Sequence, residues 1–276
     1  MDKSALTYEQ ETMTCKTCGR EFTANVVYIF GHRQGRDVCP DCREIEQKLE
    51  RDQEEANRAA EIARTRKSWR LSCGIPQLFQ NKDFSNFDTK RGGNTGEVYQ
   101  KCFEYADKFP FTGTYPSLFL YSDVVWGNGK THLVAAIAHR ILDRWQGEEI
   151  TCPVMFISEP EIYARIQETY SFTQEERQKR PSEQQIINKM VGVRLLIIDD
   201  LGKQQRKEDS MDFVRRTLFD IINRRYNAMR PVVITSNKDN KGLRDYLGPD
   251  EAILDRLIEM TKGHILRNTG KSYRRE

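Results

Sequence analysis

Lys130 and Thr131, preceded by Gly127-Asn128-Gly129, are residues whose types and spacing could do chemistry on phosphate. A lysine ammonium can reach β- and γ-phosphates, and a neighbouring hydroxyl can fill one Mg²⁺ coordination position. Flanking glycines let backbone N–H groups turn inward around an anion. Asn128 and His132 join them as candidate nucleotide contacts on either side of the lysine. A second set, Asp199 and Asp200, ends the apolar run Leu195-Leu196-Ile197-Ile198. Asp199 is placed to hold Mg²⁺, and Asp200 to orient or deprotonate an attacking water. Asn237 ends another apolar run, where its amide can bond a γ-phosphate or that water. Cys15, Cys18, Cys39 and Cys42 form a third set: two C-x-x-C pairs with twenty residues between them. That pattern makes a tetrahedral four-thiolate zinc site.

Each set has a plainer reading. G-x-G-K-T could be a glycine turn that opens a helix. The first glycine of a full phosphate loop is here Val124. A β-branched residue tolerates positive φ poorly, so the front of the loop takes another path. Asp-Asp-Leu-Gly at 199–202 could be a polar strand exit. A C-x-x-C can be a redox dithiol, but that needs one pair beside a βαβ pattern. His32 could substitute as a metal ligand, although four cysteines leave it a surface role. Cys73, Cys102 and Cys152 stand alone and suit a core. Asn237-Lys238-Asp239 approximates the guanine-reading N-K-x-D with its aspartate one position early, which favours ATP over GTP.

The elements that must position these residues follow from the apolar pattern. Strands are predicted at 118–121, 154–158, 195–200 and 231–237, and helices over 96–109, 131–145, 159–170, 210–228 and 250–260. Strands alternating with helices predict an α/β fold with a parallel sheet. Continuous apolar runs read as strands covered on both faces, with ligands at their carboxyl ends. Residues 171–185 read as a solvated excursion. Residues 43–70 interleave acids and bases around Ile45, Leu49, Ala56, Ala59 and Ala63, without glycine or proline. They predict a solvated helix roughly 40 Å long. The expected division is a zinc ribbon at 1–42, a charged helical linker at 43–72 and the main domain at 73–276.

The 276 residues carry a net charge of only +3, so a globally basic nucleic-acid binder is not indicated. DNA contacts would come from local patches such as Lys203, Arg206 and Lys207. No apolar run reaches the ~18–20 residues of a membrane span, and the start lacks a signal-peptide core. A cytoplasmic protein is expected, in which paired cysteines read as metal ligands.

Taken in order, Gly74-Ile75-Pro76 with Phe84 and Phe87, Gly-Lys-Thr-His-Leu at 129–133 and Leu-Leu-Ile-Ile-Asp-Asp-Leu-Gly at 195–202 are more specific than any single motif. With Ile222-Asn223-Arg224-Arg225-Tyr226, Ile-Thr-Ser-Asn at 234–237, Asp255-Arg256-Leu257 and Ser272-Tyr273-Arg274, residues 73–276 resemble the P-loop AAA+ domain of DnaC/DnaI-type helicase loaders and their IstB-type relatives. The zinc module ahead of a linker is similar to the DnaI arrangement, in which that module docks on the helicase. The resemblance implies ATP hydrolysis with Mg²⁺, Asn237 as sensor 1, Arg256 as an arginine finger given to a neighbour, and Arg274 as sensor 2. It further implies a replicative helicase and single-stranded DNA as partners, and self-assembly into a ring or spiral. Val124 and Asp200, where many AAA+ proteins carry glutamate, are departures that bear on turnover more than on binding. Competing readings are an IstB-like transposition helper, a non-hydrolysing nucleotide-gated adaptor, and a small-molecule P-loop kinase with 171–185 as its lid.

Overall fold

The structure, a computed structural model, describes residues 6–34, 37–123, 125–146, 151–203, 208–248 and 252–273. It divides into two units, Met1–Thr65 and Arg66–Glu276.

In the first unit, β1 (Leu6–Thr14), β2 (Glu21–Ile29) and β3 (His32–Gln34) form an antiparallel sheet in that order. Phe30 and Gly31 turn the β2–β3 hairpin with φ of 49° and 77°. Helix α1 (Pro40–Ser72) begins three residues before its predicted start, with proline at the first helical position, where the missing N–H has no helical partner to lose. The strand ahead of the first cysteine pair was not predicted. The core is small: Cys15, Cys39 and Cys42 with Phe22 and Val38 against them. Tyr8, Phe30, Ile45 and Leu49 are exposed. So little buried apolar surface leaves a unit this size dependent on another source of stability.

The second unit is a five-stranded parallel sheet in the order β5-β6-β7-β4-β8. Its strands are β4 (Leu118–Tyr121), β5 (Val154–Ser158), β6 (Leu195–Leu201), β7 (Val232–Ser236) and β8 (Ile265–Arg267). Alternate side chains feed two cores. Leu118, Leu120, Phe156, Leu195, Ile197 and Val233 pack with α2 (Thr95–Asp107) and α3 (Lys130–Arg144). Phe119, Ile157, Leu196, Ile198, Val232 and Ile234 pack on the other face, with α4 (Glu159–Tyr170) and later helices of the chain. This is the three-layer α/β architecture expected for a P-loop AAA+ domain. β4 lies between β7 and β8, so the chain reverses direction of travel across the sheet beside it, and a crevice opens at the carboxyl ends.

Two local differences from the sequence reading have physical causes. Within 171–185 lie α5 (Gln174–Lys179) and the start of α6 (Glu183–Gly192), each begun by a capping box, Thr173 with Glu176 and Ser182 with Gln185. After α7 (Glu208–Asn227) and β7 come α8 (Asn240–Leu247) and α9 (Ala252–Thr261). Arg256 was expected after the last strand, but the short β8 follows α9 and pairs with β4, so Arg256 precedes it. Gly74 explains its own place in the Gly-Ile-Pro motif. Its φ is +96°, and a Cβ would lie 2.1 Å from the Phe156 carbonyl oxygen. The Cys73 carbonyl accepts the Phe156 N–H at 2.7 Å, so the backbones touch there.

Candidate nucleotide site and cysteine centre

β4 exits into Ser122, and α3 begins at Lys130 after Gly129, whose φ of 91° only glycine adopts freely. A Cβ at Gly129 would meet the Phe87 ring at 2.7 Å. Lys130 is 5% exposed, and its ammonium donates to Asn128 Oδ1 at 3.2 Å. Asn128 also donates to Ser122 Oγ at 3.0 Å and to the Asn268 carbonyl at 2.9 Å. Its side chain therefore braces the loop as well as lining the cleft. His132 lines the same cleft, but its Nε2 meets the Asp83 carbonyl at 2.9 Å and its ring stands edge-on to Phe87. Burial lowers its pKa, which keeps the ring neutral.

Thr131 Oγ1 donates to both carboxylate oxygens of Asp199, at 3.2 and 3.1 Å, and the Thr235 hydroxyl donates to Asp199 Oδ1 at 2.5 Å. Burial first, and the neighbouring Asp200 charge second, push the Asp199 carboxyl up to about 6. A carboxylate and a hydroxyl oxygen facing each other are the hard donor set that Mg²⁺ takes. Asp200 sits in the left-handed region at φ 60°, at an irregularity in the β6–β7 register. Its N–H donates to Thr235 Oγ1 at 2.9 Å, and Lys203 pairs with its carboxylate at 2.7 Å. Thus Thr235 holds both aspartates, a role the sequence reading missed. Asp200, Lys203, Asn237 and Lys238 share with Gly127–His132 the wall of a cleft of about 580 Å³. The exposed Trp126 and Leu78 stand on the same cleft.

Arg256 is not on that wall. Its guanidinium lies over Phe219 and Tyr226 at 5.0 and 5.8 Å from their ring centres. Val124, Arg206, Lys207, Asp250 and Arg274 lie outside the described residues. Arg225, quoted above only as part of a motif, is fully buried. It donates to the carbonyls of Met190, Val191, Val193, Arg194 and Pro231, closing the end of α6 onto the start of β7. Burial pushes its guanidinium down to about 9, still charged at neutral pH. Glu159, also missed, is fully buried at the start of α4. No motif marks it, because its partners come from three separate segments.

The sulfurs of Cys15, Cys18, Cys39 and Cys42 all lie within 4.8 Å of one another. The second pair straddles the start of α1, whose N-terminal dipole favours thiolates. Chiefly through the Cys39 N–H, which donates to its sulfur at 3.3 Å, the Cys15 thiol falls to about 6. Four soft, converging sulfurs fit zinc.

The IstB-like ATP binding protein family matches residues 53–276, which leaves the cysteine centre outside the matched region. The replicative helicase loader DnaC of Escherichia coli (strain K12) is 28% identical over 228 residues, or 80% of this chain and 82% of that protein. DnaC of Buchnera aphidicola subsp. Acyrthosiphon pisum (strain APS) is 25% identical over 80% of this chain and 84% of its own. Among solved structures, the DnaC helicase loader superposes with TM-score 0.54 at 18% identity, over 70% of this chain and 99% of that one. DnaI gives TM-score 0.52 at 19% identity, over 72% and 93%. At such identities the structural likeness establishes the fold. Among the described residues, no helix is long and apolar enough to cross a membrane.

Proposed function

The chain belongs to the IstB-like ATP binding protein family, and from that premise we propose that it is a helicase loader, an ATPase that places a replicative ring helicase on single-stranded DNA. The ATPase half of this reading rests on one observation, the bonding of Thr131 to Asp199 one residue beyond the buried Lys130. The helicase half is supported by likeness to the proteins named replicative helicase loader DnaC across most of both chains.

In this reading the P-loop amides and Lys130 bind the β- and γ-phosphates, and Asn237 fixes the γ-phosphate from the end of β7. Asp200 orients the attacking water, with Lys203 setting the direction of its carboxylate. Mg²⁺, when bound, would be held by Thr131 and Asp199 and would neutralise phosphate charge. Arg256 and Arg274 complete the site as finger and sensor. Residues 1–42 form a zinc module that docks on the helicase, 43–72 link it, and 73–276 assemble into a ring or spiral in the cytoplasm.

The test is reconstitution with the replicative helicase of the same cell. ATP turnover should depend on Mg²⁺ and rise with single-stranded DNA, and helicase should appear on covered DNA circles only with the loader. Lys130→Ala should abolish turnover. Loading that proceeds equally well without this chain would overturn the assignment.

A further inference from the structure

Glu159 is a carboxylate with no solvent exposure and, among the described residues, no lysine or arginine paired with it. Four donors saturate it instead. Tyr163 and Tyr246 hydroxyls donate to Oε1 at 2.9 and 2.6 Å, and the Gly202 and Lys203 N–H groups donate to Oε2 at 2.7 and 3.3 Å. Such a group is costly to bury and is kept only where its bonds are needed.

Its two oxygens face different tasks. Oε2 grips the turn that follows the paired aspartates, which is closed by Lys203 N–H on the Asp200 carbonyl at 3.2 Å. That turn holds Asp200 at φ 60° and Gly202 at φ 86°. A non-glycine residue in this region is strained and persists only where its surroundings fix it. Thr235 fixes one end of the turn through the Asp200 N–H, and Glu159 fixes the other. Oε1 reaches Tyr246 of α8, which stands on the nucleotide cleft. The turn and α8 also touch directly: a Cβ on Gly202 would lie 3.1 Å from Leu243 Cδ2.

We propose that Glu159 is a positioning residue that holds the Asp200–Lys203 turn in its working shape and couples it, through Tyr246, to occupancy of the nucleotide cleft. This rests on the hydrolysis reading above. ATP against the cleft wall would restrain Tyr246, and the shared carboxylate would pass that restraint to the turn that aims Asp200. Nucleotide state would then be written into the loop carrying Lys203, beside the basic residues that follow it in sequence.

Glu159→Gln keeps the shape but leaves one acceptor oxygen for two pairs of donors. Its kcat should fall about 10-fold or more, the scale of a lost charge-assisted hydrogen bond, while affinity for a fluorescent ATP analogue stays within about 2-fold. Amide hydrogen exchange at 202–203 should accelerate, with β6 unchanged. Tyr246→Phe should leave that exchange slow without nucleotide but remove the further slowing on adding ATP. It also decides the question if the glutamine variant does not fold. Unchanged kcat with unchanged exchange in Glu159→Gln would overturn the proposal. So would a parallel loss of binding and turnover with β6 exchanging too, or ATP still slowing the turn in Tyr246→Phe. If the unaltered protein binds ATP without hydrolysing it, the hydrolysis reading fails by itself, and the exchange pattern alone judges Glu159.

Discussion

Asn128 and Asn268 exchange hydrogen bonds across 140 positions of sequence, each side-chain amide donating to the other's backbone carbonyl at 2.9 Å. The residue beside it, Arg267, binds Asp123 through two nitrogens at 2.9 and 3.0 Å. The Tyr273 N–H donates to the Gly127 carbonyl at 2.9 Å. The exit of β8 thus grips the phosphate loop on both flanks of position 124, where the usual glycine is missing.

This clamp predicts that Asn268→Ala, which leaves a buried carbonyl of Asn128 without its donor, costs about 1–3 kcal/mol of stability and weakens ATP binding. Asn128→Ala should cost at least as much, because Lys130 and Ser122 lose a partner too. Urea unfolding of both single variants and the double variant checks the coupling. The double variant should cost less than the sum by about 0.5 kcal/mol or more, as residues in contact do. Strict additivity would show that the two act separately.

Acid sensitivity should come from His139. Its Nδ1 meets the Lys82 carbonyl at 3.0 Å, so that nitrogen carries a proton, while its buried Nε2 has no partner among the described residues to receive a second one. Burial first, then the Arg70 charge, lowers its pKa from 6.5 to about 4. Above pH 6.5 neither folded nor unfolded chain is protonated there, and nothing is lost. As pH falls from 6.5 to 4 the unfolded chain takes up a proton that the folded one refuses, removing on the order of 2–3 kcal/mol. All 3 tryptophans lie in residues 66–276, so their fluorescence follows this unit alone. His139→Gln should flatten the curve of stability against pH across that window. Curves that stay parallel would place the sensitivity elsewhere.

The cysteine unit makes a separate prediction. Small zinc modules draw about 10–16 kcal/mol from the metal at neutral pH. With a core of three cysteines, Phe22 and Val38, this unit has little else. Purified protein should carry one zinc per chain. A chelator should release it and melt β1 to β3, leaving ATP affinity unchanged. Protein that is zinc-free yet protected in those strands would reject the metal.

What could be read beforehand was whatever local sequence determines by itself. Leu195 to Ile198 is apolar enough to demand cover on both faces, and its strand is found inside the sheet, between β5 and β7. Lys130 and Thr131 follow a strand and glycines, and that context places them at the crevice. Long-range pairing was hidden. β8 spans three residues and owes its existence to β4 beside it. Glu159 looks like any helix-opening acid until Tyr246 and Gly202 arrive from elsewhere in the chain. The capping boxes at 173 and 182 were legible, but few apolar residues follow them, and charge made the stretch read as loop.

Completion of the site by a second subunit is the last prediction. Lys130, Thr131 and Asn237 line the cleft, with Asp199 bonded to Thr131; in the proposed ATPase, Lys130 with the metal would be the cations acting on charge that develops during transfer. An added arginine finger is worth about 10³–10⁵ in rate in P-loop enzymes. Arg256 is no part of its own cleft wall, and among the described residues no acid neutralises it. Glu259, one turn away, accepts the Tyr226 hydroxyl at 2.8 Å instead. The guanidinium rests on Phe219 and Tyr226, which holds it by cation–π attraction worth about 0.5–2 kcal/mol and leaves its charge available. Arg256→Ala should therefore bind ATP almost normally but lose turnover by about 10³-fold or more. Lys130→Ala should be inactive through failure at the phosphates. Mixed together, the two inactive proteins should recover part of the activity, because some interfaces pair an intact loop with an intact arginine. Turnover of the unaltered protein should rise with its concentration. Turnover per chain that is independent of concentration, with no recovery on mixing, would mean that each chain works alone and that Arg256 serves only to pack α9 on α7.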